Sequence, residues 1–81
     1  MFVGIHRYFK YKVKFAFNGK IIFKTITGGR LLSLIKHQFC KINLCSFSVC
    51  LSRFSFTYIN PDTFEYFDEE FLILEEIKWQ H

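Results

Sequence analysis

A strict alternation of polar and apolar residues from Lys10 to Phe17 constrains the fold more than any other feature of the sequence. Large apolar side chains occupy its odd positions, and lysines occupy even positions at Lys10, Lys12 and Lys14. A period of two places successive side chains on opposite faces of a strand, so this segment is predicted to be a half-buried β-strand. One of its faces is predicted to be a solvated row of lysines.

The segments that follow predict a hairpin and then a helix. Asn18-Gly19 favours a type I′ turn because both residues tolerate a positive φ, and Lys20–Thr27 has the Ile, Phe and Thr content of a return strand. From Arg30 to Ile42, apolar residues recur at three- and four-residue spacings, which indicates an amphipathic helix. Asn43 is predicted to terminate that helix.

The segment from Ser46 to Tyr58 alternates again, but with a slip of one residue. Apolar residues occupy odd positions up to Leu51 and even positions from Phe54 onward. Because a slip of one residue flips the buried face of a strand, a bulge or break is predicted at Ser52-Arg53.

The last part of the chain is predicted to contain a turn at Asn60-Pro61-Asp62 and a short strand at Phe64–Phe67. Asp68 is placed to cap a final segment, Glu69–Lys78, as the N-cap of a helix. Its helical face would consist of Phe71, Leu74 and Ile77. The run Leu72-Ile73-Leu74 suits an edge strand equally well, so a helix and a strand both stay open.

These elements predict an α+β fold in which a sheet of ββαββ order, with a short terminal helix or strand, packs on one helix. Residues 1–9 are predicted to form an N-terminal arm and residues 10–81 a single domain, since 81 residues leave no room for a second core. No run reaches the roughly 18–20 apolar residues that a membrane helix needs.

The charge is divided along the chain. Ten of the eleven Lys and Arg residues lie between Arg7 and Arg53, and all seven acidic residues lie between Asp62 and Glu76. Such an asymmetry predicts either an electrostatic partner or two halves of the molecule that face each other. If the two halves paired internally, little charge would remain for a partner.

Neither a metal site nor a catalytic site is indicated. His37 and the three cysteines lack the paired Cys spacing of structural zinc sites, and an odd number of cysteines argues against a disulfide framework. Free cysteines favour a cytoplasmic setting, with the nucleus as an alternative. Gly28-Gly29-Arg30 could bind an anion at a helix start, although Gly-Gly more often forms a turn. The chain is therefore predicted not to be an enzyme and to need no cofactor.

The order of a basic hairpin, a helix, a second hairpin and an acidic segment resembles the ubiquitin-like β-grasp domains, and most of all the Phox-and-Bem-type interaction domains. The matching pieces are Lys12-Val13-Lys14-Phe15, Leu31–Ile35, and Phe56–Asp62 followed by Phe64–Phe71. Asn60-Pro61 stands where that family usually has acidic residues and a glycine.

The resemblance implies a β-grasp-like mixed sheet and a head-to-tail association. In that family, a lysine of the first strand on one domain meets an acidic turn-and-helix motif on another domain. By position, Lys14 would be the basic residue here. The acidic face would be supplied by Asp62, Glu65, Asp68, Glu69 and Glu70.

Three functional hypotheses follow. The first is a non-catalytic protein-interaction module in which the basic strand face meets the acidic segment of a partner, including a second copy of the chain. The second is a nucleic-acid or anionic-surface binder that uses the face formed by Lys10, Lys12 and Lys14. The third is a truncated or unselected reading frame, suggested by a composition in which Ala16 is the single alanine.

Overall fold

One antiparallel sheet and one helix make up the part of the chain that the computed structural model describes, residues 4–78. The strands are β1 (Lys10–Phe17), β2 (Lys20–Thr27), β3 (Leu44–Cys50), β4 (Arg53–Ile59) and β5 (Tyr66–Ile77), and the helix is α1 (Gly28–Phe39). Their order in the sheet is β2-β1-β5-β4-β3. The α+β class is thus confirmed, but every strand pair is antiparallel, so the sheet is not mixed.

The first hairpin forms where the sequence predicts it. Asn18 and Gly19 have φ of 47° and 78°, the two positive values of a type I′ turn, and Phe17 pairs with Lys20 across it. The break predicted at Ser52-Arg53 occurs one residue earlier, as a tight turn at Leu51-Ser52 in which Leu51 has a positive φ of 52° and Cys50 pairs with Arg53. This turn separates β3 from β4 and explains the slip between odd and even apolar positions.

The helix is shorter than predicted at its C-terminal end. Thr27 is its N-cap, and the Oγ1 atom accepts a hydrogen bond of 3.3 Å from the backbone N–H of Arg30. The helix ends at Phe39, and Ile42, which was expected on its apolar face, is fully exposed. The backbone of Asn43 instead accepts a hydrogen bond from the N–H of Ile59, so the chain is already entering the sheet at that point.

The final segment is a strand rather than a helix, but it lies in the middle of the sheet and not at the expected edge. The short strand predicted at Phe64–Phe67 is wrong in its bounds. β5 runs without interruption from Tyr66 to Ile77, and Asp68 lies inside it rather than capping a helix. Between its pairs with Lys12 and Val13 the register shifts by one residue, a β-bulge at Leu74. The bulge interrupts the alternation of apolar and polar residues in β5, and the apolar residues Phe71, Leu74 and Ile77 therefore have the spacing of a helix by chance.

The core lies between α1 and one face of the sheet. It is mostly aromatic, because β1, β4 and β5 turn their large side chains to the same side, and Leu31 and Ile35 of α1 cover them. The strand residues of this core are Tyr11, Val13, Phe15, Phe54, Phe56, Tyr58 and Phe71. The opposite face of the sheet carries no covering element within residues 4–78, and we refer to it as the open face.

The segment that precedes β1 packs against the start of the helix. The backbone N–H groups of Gly28 and Gly29 donate to the carbonyl oxygens of Phe9 and Arg7 at 2.7 and 3.0 Å, and Ile5 belongs to the core. These two amides are therefore engaged within the chain rather than free for an anion. Residues 1–3 of the predicted arm and 79–81 of the predicted domain lie outside the described residues.

In residues 4–78, no helix is long and apolar enough to span a membrane.

Replacing Gly28 with Ala is expected to lower the free energy of unfolding by about 1–3 kcal/mol, the usual cost of overpacking. An added Cβ at this buried position would lie 2.0 Å from the backbone oxygen of His6, so the arm would have to move. Gly29→Ala is the matched control, since its Cβ would meet the Arg7 oxygen at an ordinary 3.6 Å. Urea unfolding of both variants measures the difference, and equal stability would contradict the packing described.

Candidate functional site

The three predicted lysines of β1 lie together on the open face of the sheet. Their side chains point away from the core because the buried residues of β1 occupy the alternate positions, Tyr11, Val13 and Phe15. Lys10 and Lys12 are exposed and Lys14 is half-buried. The predicted solvated row of lysines is therefore confirmed.

The acidic strand β5 lies directly beside this row. Every residue of β1 pairs with β5, which places Glu75 opposite Lys12 and Leu72 opposite Lys14. The Nζ atom of Lys12 lies 3.4 Å from Oε1 of Glu75, and both side chains are about half exposed, at 52% and 57%. Part of the charge that is separated along the sequence is thus neutralised within the molecule.

Two further acidic residues of β5, Asp68 and Glu70, bind side chains of the neighbouring strand β4. Oδ1 of Asp68 accepts a hydrogen bond of 2.8 Å from the Thr57 hydroxyl group. Oε2 of Glu70 lies 3.6 Å from Nε of Arg53 and accepts a hydrogen bond of 3.4 Å from the Ser55 hydroxyl group. Both carboxylates lie on the open face. Their cross-strand partners, Thr57 and Ser55, alternate along β4 with residues that are buried in the core.

Glu69 lies on the other side of the sheet, towards the helix. Its Oε1 atom is 3.7 Å from Nζ of Lys41, and the same ammonium group lies 5.0 Å from the centre of the Tyr58 ring. Burial raises the pKa of Tyr58 to about 12, and the negative charge of Glu69 contributes to this shift. The hydroxyl group of Tyr58 donates a hydrogen bond to Oε1 of the buried Gln38.

Asp62 and Glu65 lie in the turn that joins β4 to β5. The turn is closed by hydrogen bonds from the N–H of Asn60 to the Glu65 oxygen, 2.8 Å, and from the N–H of Phe64 to the Asn60 oxygen, 2.7 Å. The N–H of Asp62 also donates to Oδ1 of Asn60 at 2.9 Å, so the predicted turn is confirmed. Both carboxylates are on exposed residues.

The structure therefore divides the predicted site residues into two groups. Lys12, Glu69 and Glu70 form ion pairs, and Asp68 is hydrogen-bonded. Within residues 4–78, the other four have no ion pair: Lys10, Lys14, Asp62 and Glu65. The sequence indicated the charged residues, but it did not indicate which of them would form ion pairs or hydrogen bonds within the molecule.

One polar cluster at the edge of the core has no counterpart in the sequence analysis. The hydroxyl group of Tyr11 accepts a hydrogen bond from the backbone N–H of His6 and donates one to Oε2 of Glu76, both at 2.8 Å. Burial is the main cause of a raised pKa for Tyr11, and the hydrogen bond to Glu76 adds to it. The bulge at Leu74 turns Glu76, rather than Glu75, towards Tyr11, and no local sequence signal indicates this pairing.

The cysteines and histidines do not converge on a metal site. Cys40, Cys45 and Cys50 are free and exposed. No group of three or more His, Cys, Asp or Glu residues in residues 4–78 is arranged to hold a metal ion.

Two shallow grooves flank β2. One of about 170 Å³ on the open face is lined by Lys12, Phe23 and Leu74, among others. The other, of about 150 Å³, lies on the helix side and is lined mostly by apolar residues with Lys24 and Arg30 at its rim. Phe23, which is 65% exposed, and Ile21 lie on the open face, whereas Ile22 lies on the helix side and is accessible because α1 leaves part of β2 uncovered.

Comparison of the chain with protein-family models, with curated proteins and with solved structures finds no match. The function therefore has to be argued from the residues of the site.

A double-mutant cycle of Lys12→Ala and Glu75→Ala is expected to give a coupling energy of about 0–1 kcal/mol, since both side chains are half exposed. Raising the salt concentration should reduce this coupling further because screening weakens exposed ion pairs. Urea unfolding of the four proteins measures it. A coupling well above this range would mean that the pair is shielded from solvent.

Stability is expected to fall as the pH rises from about 10 towards about 12. The folded-state pKa of Tyr58 lies above the value of an unfolded phenol, so the neutral hydroxyl stabilises the fold fully below pH 10 and loses this effect through pH 12. Tyr58→Phe should remove much of this dependence, whereas Tyr66→Phe, at an exposed position, should not. Unfolding followed at several alkaline pH values tests this, and unchanged pH dependence in Tyr58→Phe would contradict it.

Proposed function

We propose that the chain is a non-catalytic protein-interaction module that associates head to tail through opposite charges at two ends of its sheet. The observation that carries this proposal is the separation of those predicted site residues that form no ion pair within residues 4–78. Among them, the cations are Lys10 and Lys14 on β1, and the acids are Asp62 and Glu65 in the β4–β5 turn.

Distance prevents these groups from pairing inside one molecule. Lys10 pairs with Ile77 at the last residue of β5, whereas the acidic turn comes just before Tyr66 at its first residue. At about 3.3 Å per residue, the two ends of β5 are roughly 36 Å apart, and Lys14, which pairs with Leu72, lies roughly 20 Å along the strand from Tyr66. Both distances exceed two Debye lengths of about 8 Å at physiological salt. A second molecule in the same orientation would bring an acidic turn to the lysine end of the first.

The order within the acidic turn favours such a contact. Its hydrogen bonds hold the backbone from Asn60 to Glu65 in one conformation, so little conformational entropy is lost when it binds. Asn60-Pro61 replaces the acidic residues and glycine of the family pattern, but the hydrogen bonds of Asn60 still hold this turn in an ordered conformation. The carboxylates themselves stay exposed.

Apolar contacts are needed as well, because exposed ion pairs contribute only about 0–1 kcal/mol each. Lys14 lies between Phe23 of β2 and Leu72 of β5 in the cross-strand register. The exposed side chains of Phe23 and Leu74 line the groove on this face, and they would be covered when a partner binds the lysine row. Charge would direct the encounter, and this apolar surface would supply much of the affinity.

The second hypothesis, binding of a polyanion through the lysine face, is less well supported. Asp68, Glu70 and Glu75 share the open face with the lysines. Three carboxylates on the same surface would repel closely spaced phosphates and oppose the release of counterions on which such binding depends. A short acidic turn can approach Lys10 or Lys14 without crossing that part of the face.

Sedimentation velocity at low salt tests the proposal. The wild type is expected to form oligomers that lengthen with concentration, because a head-to-tail contact is heterologous and leaves both ends open. Lys10→Ala/Lys14→Ala and Asp62→Asn/Glu65→Gln should each lose this association. An equal mixture of the two variants should regain a contact between unlike molecules and sediment faster than either variant alone, since one intact interface remains.

A charge-matched control separates this contact from a general effect of net charge. Lys20→Ala/Lys36→Ala removes the same two charges from exposed positions on β2 and α1, and it should associate like the wild type. A wild type that stays monomeric at high concentration and low salt would overturn the proposal. So would a mixture of the two variants that sediments no faster than either variant alone.

A further inference from the structure

We infer that β3 is a self-association edge, at which a second copy of the chain adds its own β3 in antiparallel orientation. The two sheets would then continue into one sheet of ten strands around a two-fold axis. This inference concerns the β3 edge of the sheet, which β4 and β5 separate from the lysines of β1. It does not rest on the proposed function.

The chemistry of β3 supports this pairing. β3 is the last strand in the sheet order, so the backbone groups on its outer side have no neighbouring strand among residues 4–78. Its sequence, LCSFSVC, contains no charged residue and no proline. Natural proteins usually protect an exposed edge with lysine, proline, a bulge or a covering element. β3 has a bulge at Cys45, but in the described chain its segment from Ser46 to Cys50 has none of these.

The other edge of the sheet provides an internal contrast. β2 carries Lys20 and Lys24, both exposed, within its eight residues. Two copies of β2 would bring four like charges into one pair of strands, which opposes their pairing. Of the two edges, β3 is therefore the one suited to a second copy.

The apolar surface beside β3 continues from the core. The Phe39 ring lies 4.7 Å from that of Phe47 and 5.4 Å from that of the buried Phe56, each in an edge-on arrangement. Phe47 nevertheless remains 57% exposed, and Phe39 and Leu51 are also exposed. A second copy seated against β3 would cover this row of rings and join the two cores on the helix side.

The strand is also complementary to itself. Phe47 and Val49 pair with Phe56 and Phe54 and so face the helix side, whereas Ser46, Ser48 and Cys50 face the open side. With the two-fold axis at Ser48, Phe47 of one copy lies opposite Val49 of the other, and each serine lies opposite a small polar or thiol side chain. Apolar side chains thus meet on one face and small ones on the other, as a stable pair of strands requires.

Charges placed at the axis test this arrangement. In a Lys10→Ala/Lys14→Ala background, which removes the proposed head-to-tail contact, the protein is expected to sediment as a monomer and dimer in equilibrium. Ser48→Lys and Ser48→Glu should each raise the dimer dissociation constant by about tenfold or more, since like charges would then be directly opposed. An equal mixture of the two should restore the dimer.

The matched control is Thr25→Lys, which adds one lysine at an exposed position of the opposite edge strand and should leave the dimer unchanged. Hydrogen exchange adds a measurement that needs no variant at Ser48. The amides of β3 should gain protection as the concentration rises, while those of β5 should be protected throughout and report that the protein is folded.

Three outcomes would overturn the inference. They are a monomer at every concentration in the Lys10→Ala/Lys14→Ala background, a dimer that persists in Ser48→Lys, and a dimer that is lost in Thr25→Lys. Because the proposed head-to-tail contact is absent from these proteins, its failure and the failure of β3 pairing are observed separately.

Discussion

The pairing of β5 with both β1 and β4 is the interaction on which the rest of the structure depends. β1–β2 and β3–β4 are two separate hairpins, and β5 is the strand that joins them in the sheet. Its buried residue Phe71 pairs with Phe15 on one side and Phe54 on the other. Since isolated two-stranded hairpins are marginally stable in water, the continuous apolar face that α1 covers exists only when β5 is in place.

The same pairing determines the electrostatics of the surface. It carries the acidic end of the sequence into the middle of the sheet, so Lys12 and Arg53 find carboxylates on their neighbouring strand. A charge division that is almost complete along the chain becomes a mixed surface in the folded molecule. Among the predicted site residues, Lys10 and Lys14 on β1 and Asp62 and Glu65 in the β4–β5 turn form no ion pair within residues 4–78, so the proposed function rests on these groups rather than on the total charge.

Those parts of the fold that depend on local chemistry could be predicted from the sequence. The turn at Asn18-Gly19 depends only on the positive φ values that these two residues tolerate. The alternation in β1 depends only on one face of the strand being buried. The identity of β5 was not accessible in this way, because the bulge at Leu74 interrupts its alternation and its two partners are distant in sequence. For the same reason, nothing near Tyr11 indicated its hydrogen bond to Glu76. The lysine face was predicted correctly, but the carboxylates that share it were not.

The central place of β5 also has a kinetic consequence. Both hairpins and the helix join residues close in sequence, whereas the β1–β5 ladder joins Lys10 to Ile77 across nearly the whole described chain. Closing so long a loop slows folding relative to local contacts, so docking of β5 is the expected rate-limiting step. Until it docks, β1 and β4 each present an additional unpaired edge beside an uncovered aromatic surface. The interval before docking is therefore when the chain is most exposed to misassociation with other copies.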